Sequence, residues 1–347
     1  NQTFSRVSSN FYRTNTWQVE NVLSYSLDVK KHNVQLIAGQ SAYKYFTQNL
    51  SGARNDNSPI NPDLAYIDVA TDITSSVNGG GADRRTLASY FGRLAYSYDD
   101  KYLLSGIIRR DGSSRFGRNN PYATFPSISG GWVISKESFF DVNTISFLKL
   151  RASWGQNGNE NLGSSFPWAS TINTANNGYT FVNGTGAEYL YSGASLGAIS
   201  NPDLKWETSE QTNFGLDINF FKDKLSVSAD YYKKTTKDLL IRPNILASVG
   251  YSAPFVNGGN VQNKGIELGI NYNEKFGKDW SLGVSFNISH NKNEVSQINN
   301  TAKALAGAAY ISMGSITRMS VGQPIGYFWG QRTSGIFQSQ AEVDAYT

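Results

Sequence analysis

Hydrophobic and polar residues alternate one by one along much of this chain. Leu148, Leu150, Ala152 and Trp154 stand against Lys149, Arg151 and Ser153, and Phe214, Leu216, Ile218 and Phe220 against Asn213, Gly215, Asp217 and Asn219. Leu225, Val227, Ala229 and Tyr231 oppose Ser226, Ser228 and Asp230, while Ile266, Leu268, Ile270 and Tyr272 oppose Glu267, Gly269 and Asn271. Trp280, Leu282, Val284, Phe286 and Ile288 extend the series against Ser281, Gly283, Ser285, Asn287 and Ser289. A period of two residues means strands with one apolar and one polar face. None of these apolar faces carries a charge. Weaker versions of the pattern predict strands over 21–29, 33–46, 87–98, 102–110 and 125–134, with one or two more within 308–337, about 12 in all.

The connections alternate as well. Short gaps at 30–32, 99–101, 135–146, 221–224 and 274–279 take turns with long ones at 47–85, 111–124, 156–207 and 237–264. Antiparallel neighbours then place every short turn at one end of the sheet and crowd the long loops at the other. Outer-membrane barrels are built this way, with short periplasmic turns and long extracellular loops. A soluble sandwich or propeller also alternates, but sandwich strands run about 5–6 residues. These segments run near 9–13, close to the ~9–11 tilted residues that a bilayer requires. Aromatics collect at strand ends, with Tyr96, Tyr98 and Tyr102 at one turn, Phe220 and Phe221 at another, and Tyr272, Phe276 and Trp280 at a third. Interfacial girdles have that placement.

Composition narrows the function classes. The 347 residues include 13% aromatics, 33 Gly and no Cys, which excludes disulfide scaffolds, thiolate zinc sites and Cys nucleophiles. A net charge of +4 is too mild to argue for nucleic acid. No window approaches 18 consecutive apolar residues, so a transmembrane helix is excluded while a transmembrane barrel is not. Asn1-Gln2-Thr3-Phe4-Ser5 has neither a charged nor an apolar leader region, so a signal peptide was removed or the chain starts inside a longer protein.

Three motifs carry possible chemistry. Gly193-Ala194-Ser195-Leu196-Gly197 matches the nucleophile elbow of hydrolases, which needs a strand before it and a helix after it. Ser200-Asn201-Pro202 would stop such a helix, and the base could be only His32 or His290. The run from Arg109 to Arg118 is the densest basic cluster; a phosphate or nucleic-acid patch is one reading, and a rim loop with Arg tied to carboxylates or lipid headgroups is the favoured one. Asn61-Pro62-Asp63-Leu64 and Asn201-Pro202-Asp203-Leu204 are turn formers without the ligand pattern of a calcium loop. No cofactor is expected. Asp28, Arg93, Lys149, Arg151, Asp217, Asp230 and Glu267 belong on the polar face, because Arg or Lys facing lipid costs about 2–4 kcal/mol at mid-bilayer. Their mixed signs suit a wide lumen or one filled by a polar plug.

Several segments resemble the SusC/RagA type of TonB-dependent outer-membrane transporter. They are Ser89-Tyr90-Phe91-Gly92-Arg93, Lys101-Tyr102-Leu103-Leu104 leading to 109–117, Phe125-Pro126-Ser127 with Gly131-Trp132, and 148–159. Asn201-Pro202-Asp203-Leu204-Lys205-Trp206-Glu207, Ala229-Asp230-Tyr231-Tyr232, Asn263-Lys264-Gly265-Ile266-Glu267 and 335–342 follow in the family's order. The resemblance implies a 22-strand barrel occluded by an N-terminal plug and paired with a SusD-like surface lipoprotein that acts as a lid. It implies import of oligosaccharide or peptide, powered through TonB. No plug and no TonB-contacting segment is identified in these residues, and 344–347 reads as a loop. The expectation is therefore an all-β transmembrane antiparallel barrel, with 1–347 forming part of a single outer-membrane domain of a larger transporter in a Gram-negative bacterium.

On that reading the chain is not an enzyme, and its partners are the lid lipoprotein, TonB through the plug, outer-membrane lipid and the ligand. The long loops face ligand and lid. Within 156–207, Trp168, Tyr179, Tyr189 and Tyr191 are the candidates for stacking on sugar rings or packing against the lid, or for holding the loop together. The rival readings are a complete passive 12-strand channel, a barrel hydrolase, and a soluble adhesin or lectin-like β protein.

Overall fold

Pairing of the alternating segments makes one continuous sheet. The computed structural model describes residues 5–56, 63, 66–163, 165–174, 178–182, 186, 188–243, 245–299, 304–307, 314–333 and 335–346. The long strands are β1 (Ser5–Val29), β2 (His32–Asp56), β3 (Asp72–Tyr98), β4 (Tyr102–Ser113), β5 (Tyr122–Val133), β6 (Ile145–Asn159), β11 (Glu207–Phe220), β12 (Leu225–Lys237), β15 (Gly259–Phe276) and β16 (Trp280–Ile298). The short ones are β7 (Thr171–Asn173), β8 (Gly178–Val182), β9 (Glu188–Ser192), β10 (Ser195–Ala198), β13 (Leu240–Ile241), β14 (Val256–Asn257), β17 (Ala304–Ala306), β18 (Thr317–Ser320) and β19 (Tyr327–Phe328). A helix, α1, spans Gln340–Tyr346. The ten long strands form one sheet in the order β1-β2-β3-β4-β5-β6-β11-β12-β15-β16, all antiparallel, and the short strands form four small sheets, three in the connections and one after β16.

Three features differ from the sequence expectation. The main ladder has ten strands among the described residues, not about 12. β18 and β19 lie where further barrel strands were expected, but they pair with each other and with β17 instead. Gly314, Gly322 and Gly326, each with φ above +70°, break any long extended run there. Second, β1–β3 run 25, 25 and 27 residues, so strands fill much of the predicted gap 47–85. Gly79, Gly80 and Gly81 have no apolar rhythm to show, yet they pair with Ser51, Leu50 and Asn49. At ~3.3 Å per residue such strands far exceed a bilayer and carry the sheet into water. Third, the C-terminal loop is α1. Ser339 and Glu342 form a capping arrangement in which the Glu342 amide donates to Ser339 Oγ (3.4 Å) and the Gln338 amide donates to the Glu342 carboxylate (2.7 Å).

The register sorts the faces. Asp28, Asn33, Ser97, Leu103, Gly131, Arg151, Gly215, Asp230, Glu267 and Ser289 lie side by side across all ten strands. All seven charges expected on the polar face are on it. At its centre the Arg151 guanidinium makes paired hydrogen bonds to Asp217 (2.7 and 2.9 Å) and to Asp230 (both 3.1 Å). Gly215 makes this geometry accessible: a Cβ there would stand 2.5 Å from the guanidinium carbon and 2.6 Å from Asp230 Oδ1.

The other face is exposed and apolar. Leu23, Tyr25, Leu94, Ile108, Ile128, Phe214, Ile266, Phe286 and Ile288 are each more than two-fifths exposed on it. No described protein element covers this face, and an apolar surface of that extent is stable against lipid rather than water. At the short-turn end an aromatic chain crosses it. His32 to Tyr98, Tyr98 to Tyr102, Tyr102 to Trp132 and Trp132 to Phe139 have ring centroids 4.9, 6.4, 6.5 and 6.4 Å apart. Glu137, in the turn after β5, accepts hydrogen bonds from the Tyr102 hydroxyl (2.6 Å), the Trp132 indole (3.1 Å) and Lys101 (3.4 Å). These donors, Tyr102 foremost, hold its carboxyl below the usual range.

The main protein core sits at the opposite, long-loop end. Phe116, Phe125, Leu162, Leu204 and Trp206 are buried together, with Trp168, Leu240 and Phe255 packed around them. The segment 201–206 knots three loops there. Asn201 Nδ2 donates to the Phe255 carbonyl (2.7 Å), Asn119 and Asn120 donate to Asp203 (2.6 and 2.9 Å), and Trp206 Nε1 donates to the Pro121 carbonyl (3.4 Å). Gly117 passes so close that a Cβ would lie 2.7 Å from the Pro202 oxygen. The turn former of the sequence is thus a junction, whereas its counterpart at 61–64 lies outside the described residues except for Asp63.

Three outcomes are expected. Trp206→Ala removes a buried aromatic and destabilises the loop end by about 3–5 kcal/mol, read as protease cleavage within 160–206 while the strands stay protected. Gly215→Val displaces the Arg151 guanidinium and destabilises the sheet by about 1–3 kcal/mol, read by urea unfolding in lipid vesicles. For Glu137, a lowered carboxyl pKa means stabilisation present above the ordinary carboxylate range and lost as pH falls through the lowered value. The thermal-stability gap between wild type and Glu137→Gln should therefore be open at neutral pH and close in strong acid.

Candidate functional site

The connection between β6 and β11 projects from this junction. Within it β8 and β9 pair with Tyr179 opposite Tyr191 and Phe181 opposite Tyr189. Side chains two apart on a strand share a face, so the four rings form one aromatic face. All are exposed, at 53, 57, 59 and 51% for Tyr179, Tyr191, Phe181 and Tyr189. Phe181 and Tyr191 meet edge to face at 5.6 Å. The reverse face is mixed, with Leu190 and Val182 exposed at 76 and 64% opposite Thr180 and Glu188. Ile172 and Leu196 stand opposite each other on the neighbouring pair β7–β10, and both are exposed.

The structure therefore brings together three of the four aromatics singled out from the sequence. Trp168 is apart from them. It sits half-buried at the root of the loop, its indole donates to the Ser114 carbonyl (3.2 Å), and its own carbonyl accepts from the Asn201 amide (2.9 Å). It holds the loop to the junction. Phe181 was missed, although its spacing of two from Tyr179 was a legible signal. Flat apolar rings exposed in a row can stack on sugar rings or fill hydrophobic depressions on a protein.

The other motifs have structural employment. Ser195 opens strand β10 and pairs with Asn173, so a strand stands where an elbow would need a sharp turn and a helix. His32 hydrogen-bonds the Tyr96 hydroxyl (2.8 Å) at the aromatic girdle, and His290 pairs with Ile266 in the ladder. In the basic run, Arg109 donates to Asp111 (2.8 Å) and Ser89 (2.9 Å), Arg110 lies over Tyr122, and buried Arg115 donates to the Glu160 carbonyl (3.1 Å). The run is tied to its surroundings, as the rim-loop reading expects. Among the described residues no three His, Asp or Glu converge as a metal site.

The whole chain, residues 1–347, matches the family described as TonB dependent receptor-like, beta-barrel. It is 35% identical over 349 residues to TonB-dependent receptor P39 of Formosa agariphila, covering 96% of this chain and 31% of the relative. TonB-dependent receptor SusC of Bacteroides thetaiotaomicron is 38% identical over 223 residues, covering 62% of this chain and 21% of the relative. The RagAB peptide transporter structure superposes with a TM-score of 0.78 at 25% identity, covering 92% of this chain and 34% of that one. The chain spans about a third of the length of the curated relatives it matches. Its ladder, its lipid-suited face and these matches agree: the chain belongs to the TonB-dependent receptor β-barrel family, and its place is the outer membrane of a Gram-negative bacterium.

Proposed function

We propose that residues 1–347 form part of the wall and extracellular loops of a single barrel domain in an active importer, which takes up an oligosaccharide or peptide with energy delivered through TonB. A SusD-like surface lipoprotein closes over the long-loop end and captures ligand against it. The observation that carries this reading is the aromatic hairpin β8–β9. It is rooted on the junction at the long-loop end and exposes four aromatic rings on one face, a surface suited to burial against a partner or ligand. Similarity to the RagAB peptide transporter and to SusC supports the pairing of transporter and lid. The chemistry is binding and passage, with the barrel wall rigid and the lid and plug moving.

A passive channel is the competing reading. It would need no energy from TonB, and that dependence separates the two readings. Uptake of labelled oligosaccharides and peptides by cells producing the full protein should vanish when TonB is deleted; uptake that persists without TonB would favour the channel. Replacing Tyr179, Phe181, Tyr189 and Tyr191 together with Ser should weaken retention of the lid lipoprotein or of ligand by roughly tenfold or more, with unchanged resistance of the barrel to heat. Full retention of both would remove the hairpin from the capture site.

A further inference from the structure

The outward face carries a feature that neither strand pairing nor import explains. Lys233, Lys264 and Lys292 lie directly opposite one another on β12, β15 and β16. Register places them on the same face as Phe214, Tyr231, Ile266 and Ile288, the face suited to lipid, and all three lysines are exposed. Like charges directly opposite across a ladder repel. Of the three, Lys292 has a carboxylate partner, Glu294 at 3.3 Å. Lys233 and Lys264 have none among the described residues. One carboxylate thus serves a row of three ammonium groups.

Its height on the barrel is set by the strand. Leu225 follows a short turn, and Lys233 stands eight residues further along β12. At ~3.4 Å per residue and a tilt near 40°, that is roughly 20 Å above the short-turn end. The apolar band of such barrels is about 25 Å tall. The row thus stands near the top of that band, and the long lysine stems reach from it to the outer headgroup region.

Beside the row the same face is hollow. Gly130, Ala152 and Ala229 stand between Trp132, Leu150, Phe214, Leu216 and Tyr231, and the small residues leave an open apolar groove of about 730 Å³. Tyr231 and Ile266, which line it, are two residues along their strands from Lys233 and Lys264. One amphipathic molecule can therefore place an acyl chain in the groove and its anion among the ammonium groups.

We propose that this surface is a binding site for a phosphorylated lipid of the outer leaflet, specifically the lipid A portion of lipopolysaccharide, its phosphate held by Lys233, Lys264 and Lys292 and an acyl chain held by the groove. Lysine ammoniums bind phosphate through short charge-assisted hydrogen bonds. Occupancy replaces repulsion within the row by attraction to a shared anion. The site depends on the outer-membrane location but not on what is imported.

Native mass spectrometry of the full protein, extracted from the outer membrane in mild detergent, reads the bound lipid directly. Wild type should retain lipid A or lipopolysaccharide. The triple variant Lys233→Gln, Lys264→Gln, Lys292→Gln should lose it by roughly tenfold or more. Ala152→Leu with Gly130→Leu fills the groove, leaves the lysines in place and should lose it too. Glu294→Gln removes the competing carboxylate and should raise retention, which gives a gain of signal that misfolding cannot imitate. Wild type free of phosphorylated lipid, retention of a glycerophospholipid instead, or equal retention by the triple variant would each overturn the proposal. Uptake is measured separately, so failure here is distinguishable from failure of the importer reading.

Discussion

Backbone polar groups have no water to bond in hydrocarbon, and this constraint shapes the rest of the structure. Each strand of the described sheet meets it by pairing with neighbours. The ladder from β1 to β16 is therefore continuous and antiparallel, with consecutive long strands as neighbours. Once the ladder exists, side chains have two destinations, and the row from Asp28 to Ser289 takes the polar one. The charges on that side settle among themselves. Arg151 serves two carboxylates because planar guanidinium can present paired donors to each, and because Gly215 leaves the space it crosses.

Small residues do different work on the two sides. On the polar face Gly215 admits an ion cluster, whereas on the apolar face Gly130 and Ala152 leave a hollow bounded by aromatic rings. A sheet is one layer thick, so the depth of any groove depends on side-chain size alone. Position then decides what the groove meets, and here its upper end meets a line of lysines.

At the long-loop end, water replaces lipid and the stabilising principle changes. Phe116, Phe125, Leu204 and Trp206 build a small conventional core, and the Asn and Asp side chains of 119–120 and 201–203 tie loops to it. The hairpin β8–β9 depends on that anchorage, since two paired strands alone are marginal in water. A firm root and an uncovered apolar tip suit capture of a partner or ligand.

The sequence by itself determined the fold class, the two faces of most strands, the girdle and the resemblance to SusC/RagA transporters. Period-two alternation is a local signal, enforced residue by residue where lipid lies on one side. It was silent where that pressure ends. The upper halves of β1–β3 stand in water and show no rhythm, and only pairing across chain-distant residues, such as Leu50 with Gly80, makes them strands. The separation of Trp168 from the tyrosines, the recruitment of Phe181 to them and the alignment of Lys233, Lys264 and Lys292 follow from register between strands. Register is a relation between distant segments, so no single stretch of sequence contains it.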